Sequence, residues 1–260
     1  MINDSSAIRV VQSSLLKTYG FCHGFSLRTG GVSSEPFETL NLGRAVGDVA
    51  LSVAENHRRF AVDVGYDENR LYELSQVHGK EVTVVDGKQA PTTFRTQQGD
   101  ALIGVGSAIA VGVRTADCIA VLIGDPSSGA VATIHAGWRG VVAGVLQATL
   151  KKLSDIAGTE VSTWCVAIGP HIRQCCFEVG EDVAEEIAHS CENAEIIERT
   201  GPRPRVSLVK ALRVQLNQQG VSAKRIDDVG GCTHCEAQRF FSYRRSGAST
   251  GRHLAVIVSR

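Results

Sequence analysis

Long apolar runs are the first feature that this 260-residue chain lacks. No stretch of about 18 or more apolar residues occurs, and a transmembrane helix needs that length. The N-terminus carries Asp4 and lacks the basic flank and apolar region of a signal peptide. These two absences favour a cytoplasmic protein.

The chain also lacks an excess of charge of either sign. Lys and Arg together number 27, Asp and Glu also number 27, and the isoelectric point is about 7.1. No global field therefore attracts the protein to nucleic acid or to an anionic membrane. We expect neither of these partners, and we expect local arginines to hold any anionic substrate.

Repeats and low-complexity tracts are absent, while 43% of the residues are hydrophobic and 21% are charged. This composition allows a packed core in a chain of this length. Apolar runs typical of strands are interspersed with amphipathic segments typical of helices. We predict a mixed α/β (α+β) fold in a single domain, residues 1–260, as a monomer or homodimer.

Hydrophobic periodicity gives the approximate positions of the elements. Helical spacing predicts helices at 51–64, 141–157, 183–191 and 207–218, the first two of which stop at glycines. Extended runs predict strands at 21–34, 71–75, 81–86, 100–113, 119–123, 130–134, 161–168, 226–229 and 254–258. Residues 91–99 and 171–180 are predicted loops.

The segment His135-Ala-Gly-Trp-Arg-Gly140 puts a histidine at the end of a predicted strand, where chemistry is often found in mixed α/β proteins. Cys118 lies directly before the predicted strand 119–123, and His135 directly after the predicted strand 130–134. The turn at 125–129 predicts that these two strands form a hairpin. Cys118 and His135 would then emerge at the same sheet edge. His78, in another turn, supplies a third donor. Two imidazoles and one thiolate suit zinc with an open fourth position for water or substrate.

Each of these residues also has a structural interpretation. An isolated cysteine is among the most often buried residue types, and a lone histidine is commonly a hydrogen-bonded structural residue. The three donors lack the tight spacing of CxxC or HExxH motifs. Asp117, next to Cys118, is either a group that orients a ligating imidazole or an exposed carboxylate in a turn.

The eight cysteines are expected to be thiols, because the chain has no export signal. Cys232 and Cys235 form a CxxC pair, which a structural zinc site would have to complete with a second pair. The vicinal Cys175 and Cys176 are poorly shaped for that role, which leaves a second zinc site as the less favoured alternative. The zinc deaminase signature also fails, because a glycine replaces the proline before CxxC.

Arg59, Arg139, Arg244 and Arg245 are candidates for holding an anion, since guanidinium groups bind phosphate bidentately. A solvated ion pair is the common alternative for a surface arginine. The run Phe240-Phe-Ser-Tyr-Arg-Arg245 places three aromatic residues beside two cations, as in a platform for a flat base. Core packing along a strand is the alternative for at least two of these aromatics.

Together, motifs found in order from about residue 24 to the C-terminus resemble the YfiH/DUF152 family, once labelled multicopper polyphenol oxidase. The motifs are Arg28-Thr-Gly-Gly-Val-Ser33, Leu40-Asn-Leu-Gly43, Gln76-Val-His-Gly79, Thr115-Ala-Asp-Cys118, His135-Ala-Gly-Trp-Arg-Gly140, Ile168-Gly-Pro170, Phe177-Glu-Val-Gly180, Phe240-Phe-Ser-Tyr-Arg-Arg245 and Thr250-Gly-Arg252.

The resemblance implies a layered α/β/β/α sandwich with mixed sheets, similar to a cysteine-dependent toxin deamidase. It implies that His78, Cys118 and His135 are zinc ligands. It also implies phosphorolysis of adenosine, inosine and methylthioadenosine, with adenosine deamination as a side activity. A purine nucleoside and phosphate would then be the partners.

Two positions depart from the family pattern. The family usually has Glu-Asn-Arg in its first helix, where this chain has Glu55-Asn56-His57, which leaves Arg59 as the matching arginine. Arg173 follows Ile172 where the family usually has Ile-Gly, so that wall of the pocket is expected to differ.

The older copper label disagrees with the residues. Multicopper oxidases hold several copper ions on many imidazoles, typically in His-x-His pairs. This chain has eight histidines, no His-x-His and a single Met. A laccase mechanism is therefore not expected, although copper can replace zinc at a single site by affinity.

We hypothesise that zinc polarises or positions an oxygen of phosphate or of water. The other candidate site residues are Arg59, Arg139 and Arg244 for phosphate, Asn41 for the ribose hydroxyls, Glu178 for proton transfer to the leaving base, and Asp117 as a catalytic neighbour of the metal.

Two other functions stay open. With Cys118 as nucleophile and His135 as base, the protein would be an amidase or related hydrolase acting on a cell-wall precursor, a peptidoglycan-editing role. With a closed structural zinc site, it would be a non-enzymatic interaction module. Metal separates the two enzyme hypotheses, because a ligating thiolate is not available for attack.

Overall fold

The structure is a computed structural model that describes residues 9–260, so Asp4 and the signal-peptide prediction lie outside the described residues. Across this range, no helix is long and apolar enough to cross a membrane.

Thirteen strands occur within residues 9–260. They are β1 (Val10–Val11), β2 (His23–Ser26), β3 (Leu71–Tyr72), β4 (Val82–Val85), β5 (Ala101–Gly104), β6 (Ala110–Thr115), β7 (Ile119–Gly124), β8 (Val131–Ala136), β9 (Cys165–Ile168), β10 (Ile197–Glu198), β11 (Arg205–Val206), β12 (Ile226–Asp228) and β13 (His253–Val258).

The same residues contain seven α-helices. They are α1 (Ser14–Thr18), α2 (Ala50–Val64), α3 (Trp138–Ala143), α4 (Val145–Ala157), α5 (Glu181–Ser190), α6 (Leu208–Gln218) and α7 (Tyr243–Ser246).

Two mixed sheets form the centre of the fold. The first has the strand order β1-β2-β13-β6-β3, and the second has the order β12-β9-β7-β8-β5-β4. Most neighbours are antiparallel, while β3 with β6, β4 with β5, and β9 with β12 are parallel. Every residue of β7 and β8 is buried, which explains their nearly unbroken apolar sequences.

The sheets are stacked and covered by helices on both outer faces. Apolar residues of the first sheet, such as Phe25 and Ile257, pack against Leu122 of the second sheet. The outer face of the first sheet is covered by α2, and that of the second by α4, α5 and α6. The α/β/β/α layering implied by the family resemblance is therefore confirmed.

Several predicted elements are shorter or divided. Gly144 adopts a left-handed conformation (φ 84°) and breaks the predicted helix 141–157 into α3 and α4. Residues 161–163 form a single 3₁₀ turn, so the strand predicted at 161–168 is only β9. The strand predicted at 21–34 is only β2.

Candidate metal centre and active site

The β7–β8 hairpin holds Cys118 and His135 as the sequence predicts. The strands pair with Ala120 opposite His135 and Ile119 opposite Ala136, which puts Cys118 beside the end of β8. His78 comes from the turn between β3 and β4. Sγ of Cys118 lies 3.9 Å from Nε2 of His78, and one donor atom from each of His78, Cys118 and His135 lies within 4.8 Å of the others.

Asp100 fixes the orientation of His135. Nδ1 of His135 donates to Oδ1 of the fully buried Asp100 at 2.7 Å, which leaves Nε2 as the atom that can bind a metal. The same carboxylate accepts backbone N–H groups of Val77, His78 and Gly79 at 3.1, 2.9 and 2.7 Å. One carboxylate therefore positions two of the three donors.

His78 and Asp117 have backbone conformations that are uncommon outside glycine, with φ of 60° and 96°. The bonds to Asp100 hold the turn of His78. The Asp117 carboxylate accepts the Thr233 hydroxyl at 2.7 Å and the backbone N–H of Arg244 at 2.6 Å. Strained residues held in this way concentrate at functional sites.

The pKa values of Cys118 and His135 depart from the ordinary values of these side chains. Burial by itself raises the pKa of the Cys118 thiol, but the His135 and His78 imidazoles outweigh burial and lower it to about 6. Burial favours neutral His135, but the Cys118 thiolate and Asp100 raise the pKa of His135 to about 9. Both shifts favour a thiolate beside an imidazolium near neutral pH, and a metal bound by Nε2 of His135 would replace the proton on that atom.

The donor set fits zinc, which binds imidazole nitrogen and thiolate sulfur. Gly137 provides the space, because a Cβ there would lie 2.9 Å from Cδ2 of His78 and 3.1 Å from Sγ of Cys118. Its φ of −69° is ordinary, so the requirement is for space and not for backbone freedom. Three protein ligands facing a cavity are typical of catalytic zinc sites.

Multicopper chemistry lacks ligands here. Within residues 9–260, only two groups of three or more His, Cys, Asp or Glu residues are arranged to share a metal. One is His78, Cys118 and His135, and the other consists of four cysteines. Neither provides the many imidazoles of a multicopper site.

A cavity of about 920 Å³ opens in front of the three donors. This volume is within the range of small-molecule sites, which is roughly 300–1,000 Å³. Trp138, Ile172, Phe177 and Tyr243 provide an apolar wall. The cavity therefore has the size and the flat side chains that a purine nucleoside needs.

Positive charge dominates the rest of the lining, with six arginines and one carboxylate, Asp117. The arginines are Arg44, Arg95, Arg114, Arg139, Arg244 and Arg252. Because the whole chain has no net charge, this local excess is a property of the cavity.

The arginines differ in how they are held. Nε of Arg44 and Nη1 of Arg114 both bind the buried Glu73 carboxylate, at 3.2 and 3.0 Å. The guanidinium of Arg139 stacks on Trp138, with its Cζ 4.4 Å from the ring centroid. Within residues 9–260, neither Arg95 nor Arg139 has a hydrogen-bond acceptor for its guanidinium, so both are available to an anion.

Of the residues predicted from sequence outside the metal donors, Asp117, Arg139 and Arg244 line the cavity. Asp117 does not orient an imidazole, because its carboxylate binds Thr233 and Arg244, and Asp100 has that role. The Arg244 side chain donates to the carbonyl oxygen of Glu178 at 3.0 Å.

Asn41 and Arg59 do not line the cavity. The fully buried Asn41 side chain donates to Asp48 and accepts from the backbone N–H of Arg252, so its polar atoms are occupied. Arg59 binds Glu55 on the same helix at 2.8 Å. Both side chains bind neighbouring protein groups, and their contacts with ribose and phosphate stay predictions.

Glu178 and Arg245 also have other partners. The Glu178 carboxylate pairs with Arg205 at 3.0 Å and does not line the cavity. Arg245 donates to the carbonyl oxygens of Thr233, His234 and Phe240. The Glu178 carboxylate thus lies outside the cavity lining, and its role in proton transfer stays a prediction.

The segment 240–245 divides between core and cavity. Phe240 and Phe241 are buried, as the packing alternative predicts, whereas Tyr243 is exposed and lines the cavity. The segment is not a strand. Its second half begins the short helix α7, and the Ser242 side chain caps the N-terminus of that helix. Of the three aromatic residues predicted as a stacking platform, only Tyr243 can contact a ligand in the cavity.

Sequence reasoning missed Asp100 and four of the cavity arginines. Asp100 directly precedes β5, whose pairing with β8 puts it beside His135, and only that register reveals it. Arg114 closes an apolar run four residues before Cys118, which is a usable signal. Arg252 lies in a motif that carried the resemblance but had no assigned role.

The four cysteines for which a second zinc site was the less favoured prediction are also brought together. Sulfur atoms of Cys175, Cys176, Cys232 and Cys235 all lie within 4.8 Å of one another. All are free thiols. Residues 175–176 and 232–235 are far apart along the chain and meet only in the fold, so their spacing in the sequence does not indicate the cluster.

Comparisons with known proteins agree with the fold and the sequence motifs. Residues 22–260 match the family model described as multi-copper polyphenol oxidoreductase laccase. The crystal structure of YlmD from Geobacillus stearothermophilus superposes with a TM-score of 0.89 at 31% identity, covering 100% of this chain and 99% of that chain.

Curated relatives carry enzyme names. Purine nucleoside phosphorylase SCO2081 of Streptomyces coelicolor is 38% identical over 230 residues, 88% of this chain and 91% of that protein. Mouse purine nucleoside phosphorylase LACC1 is 32% identical over 260 residues, 97% of this chain but only 59% of that protein. Adenosine deaminase RL5, from an unknown prokaryotic organism, is 34% identical over 245 residues, 91% of this chain and 93% of that protein.

Proposed function

Because the chain belongs to the family described as multi-copper polyphenol oxidoreductase laccase, with YfiH-like structural neighbours, we propose that it is a purine nucleoside phosphorylase. Relatives with that name support the reaction class. The observation that carries the proposal is the three-donor group opening into a cavity lined by six arginines and flat side chains.

In this reaction a phosphate oxygen forms a bond to C1′ of the ribose while the C1′–N9 bond breaks. The purine leaves with the electron pair of that bond and takes up a proton. The products are the free base and ribose 1-phosphate. Since phosphate carries negative charge at neutral pH, a neutral protein needs a local group of cations to bind it.

Arg139 and Arg244 are the proposed phosphate contacts, with Arg95 as an addition that the structure suggests. Arg44 and Arg114 would add positive electrostatic potential to the cavity from fixed positions, because both guanidinium groups bind the Glu73 carboxylate. Trp138, Phe177 and Tyr243 are the proposed wall for the purine, since flat rings pack well on aromatic side chains.

His78, Cys118 and His135 would hold the metal, and Asp100 would keep the His135 ring oriented. Zinc bound there would supply Lewis acidity toward an oxygen of phosphate or water. Asp117 would hold Arg244 and the start of α7 in place through the backbone N–H of Arg244.

The proposed substrates are adenosine, inosine and methylthioadenosine, with adenosine deamination as a side activity. The name of adenosine deaminase RL5 supports the latter. The test incubates each nucleoside with and without inorganic phosphate and separates the bases, the sugar products and inosine by chromatography. Phosphate-dependent release of base is expected, with stoichiometric ribose 1-phosphate from adenosine and inosine and 5-methylthioribose 1-phosphate from methylthioadenosine. Release without phosphate contradicts the proposal.

His135→Ala tests the role of the metal centre, with Cys22→Ser as a control at an exposed cysteine outside both cysteine-containing groups. We expect His135→Ala to lose most phosphate-dependent base release, and Cys22→Ser to retain it. Full activity of His135→Ala would contradict a metal-centred reaction.

A second candidate is favoured by the chain of contacts from Asp100 through His135 to Cys118, which resembles the arrangement of a cysteine hydrolase. It would act as an amidase on a cell-wall precursor. Alkylation of Cys118 by iodoacetamide in metal-replete protein, together with activity that resists chelators, would favour it. Protection of Cys118 by zinc and loss of activity on chelation favour the phosphorylase.

A further inference from the structure

We propose that Cys175, Cys176, Cys232 and Cys235, here called the four-cysteine cluster, bind a second zinc ion in a closed structural site. All four Sγ atoms lie within 4.8 Å of one another. Four thiolates are a full ligand set for zinc and leave no position for substrate. The site is separate from His78, Cys118 and His135, which share no residue with it.

Distances between the sulfur atoms suit a shared ion. A tetrahedral zinc with Zn–S bonds of about 2.3 Å holds its sulfurs about 3.8 Å apart. Sγ of Cys175 lies 3.8 Å from that of Cys232 and 3.7 Å from that of Cys235. Sγ of Cys176 lies 3.2 Å from that of Cys235, which is well beyond a disulfide bond of about 2.0 Å.

Backbone contacts next to the two cysteine pairs bring Cys175 and Cys176 close to Cys232 and Cys235. His171 and Cys232 form a parallel bridge, in which the N–H of Thr233 donates to the carbonyl oxygen of His171 at 3.1 Å. Gly230 and Gly231 have positive φ values of 82° and 90° and turn the chain out of β12 toward this bridge. The close approach is thus set by the fold and not only by the side chains.

Arg173 strengthens the arrangement. Its backbone N–H points at Sγ of Cys232 at 3.5 Å, as expected for a donor to a metal-bound thiolate. Its side chain binds the Gly231 carbonyl oxygen at 3.1 Å and the Asp228 carboxylate. Arg173 is also one of the two positions at which the sequence departs from the family pattern.

The cluster lies behind one wall of the cavity. Cys176 and Thr233 carry groups that contact this wall, since the Cys176 carbonyl oxygen accepts from Arg244 at 3.4 Å and the Thr233 hydroxyl donates to Asp117 at 2.7 Å. An ion here would join the loop 171–180 to the segment 230–236. It would therefore brace the residues that hold Arg244 and Asp117.

The test counts metals and does not use activity, so its failure is distinguishable from failure of the proposed function. Protein purified from medium with zinc is expected to contain two zinc ions per chain by elemental analysis. The variant Cys175→Ser/Cys235→Ser is expected to contain one, Cys118→Ser also one, and the control Cys22→Ser two.

Cobalt substitution in Cys118→Ser isolates the proposed site without mutating it. Cobalt in a four-thiolate tetrahedral site is expected to give intense sulfur-to-metal charge-transfer absorption, which Cys118→Ser retains. Absence of these bands in folded Cys118→Ser overturns the proposal. So does an intact mass lower by two or four hydrogens, which would show disulfides among the cluster.

Discussion

The buried carboxylate of Asp100 lies 2.7 Å from Nδ1 of His135. The same carboxylate accepts a hydrogen bond from the backbone N–H of His78. A single side chain thereby couples the end of β8 to a loop from another part of the chain. Asp100 therefore contacts both the His135 ring and the backbone of the turn that carries His78.

Asp100→Asn should weaken metal binding at the three-donor site by about 10- to 100-fold, the usual effect of losing a carboxylate that orients a ligating histidine. Competition with a chromophoric chelator measures the affinity. Asp155→Asn is the control, because Asp155 is an exposed partner of Lys151 on α4. Unchanged affinity in Asp100→Asn would show that His135 is oriented by other contacts.

Gly137→Ala should displace metal ligands without any change in charge. The new methyl group would lie 2.9 Å from His78 and 3.1 Å from Cys118, so at least one donor must move. We expect lower metal affinity and a stability loss of about 1–3 kcal/mol, as for overpacked sites. Gly201→Ala, in open surroundings, is the control for chelator competition and urea unfolding. Retained metal affinity contradicts the assigned ligand set.

Arg139→Ala should raise the KM for phosphate by about tenfold or more, because a charged hydrogen bond is worth about 1.5–3 kcal/mol. The KM for nucleoside should change less. Arg58→Ala, at an exposed position on α2, is the control. The same assay on Arg59→Ala tests the phosphate role predicted from sequence, and a large phosphate effect there would mean that α2 moves toward the cavity in the complex.

Asp117→Asn and Glu178→Gln separate the two carboxylates predicted to be catalytic. Asp117 lines the cavity and holds the backbone of Arg244, so its substitution should lower kcat/KM by about tenfold, equivalent to about 1.4 kcal/mol. Glu178→Gln should leave kcat/KM within about twofold, because a half-exposed ion pair contributes about 1 kcal/mol or less and only to stability. A large loss in Glu178→Gln would restore its proton-transfer role.

The free energy of unfolding should fall as the pH is lowered below about 6.5, which is the ordinary pKa of a histidine side chain. Burial lowers the pKa of His57 and His171 to about 4 and that of His253 to about 3. Each is neutral in the folded chain and takes up a proton on unfolding between its folded and unfolded pKa. Stability therefore rises with pH through this window, by roughly 1.4 kcal/mol per pH unit for each histidine.

Urea unfolding in the presence of a chelator, from pH 4 to 7, measures that slope. His253→Gln should lower the slope by one proton, while the exposed His189 is the position for a control substitution. A flat stability over this range would mean that the three histidines are protonated in the folded chain.

Much of the architecture was predictable, because periodicity and glycine positions report local structure. Gly65 and Gly158 end α2 and α4 in left-handed conformations, as predicted. The hairpin between Cys118 and His135 followed from two apolar runs and a turn. In contrast, the break at Gly144 was missed because glycine within a helical pattern does not by itself reveal a helix end.

Residues that act through contacts between distant parts of the chain were harder to predict from the sequence. Asp100, Glu73 and the four-cysteine cluster obtain their roles from strand register and loop contacts that no local pattern encodes. Asn41 and Arg59 were assigned to substrate from motifs, yet their side chains satisfy nearby structural groups. Residue type indicated the chemistry, but only the fold decides which residues meet.

The dispersed origin of the metal donors has a consequence for how the molecule matures. His78, Cys118 and His135 are provided by a turn and by both ends of a hairpin that pairs with β5 through β8. A tight three-donor site thus does not exist until those distant segments have met, so metal binding there would be coupled to folding. A chain in which these segments have not met would lack the tight site, even though it carries all three donor side chains.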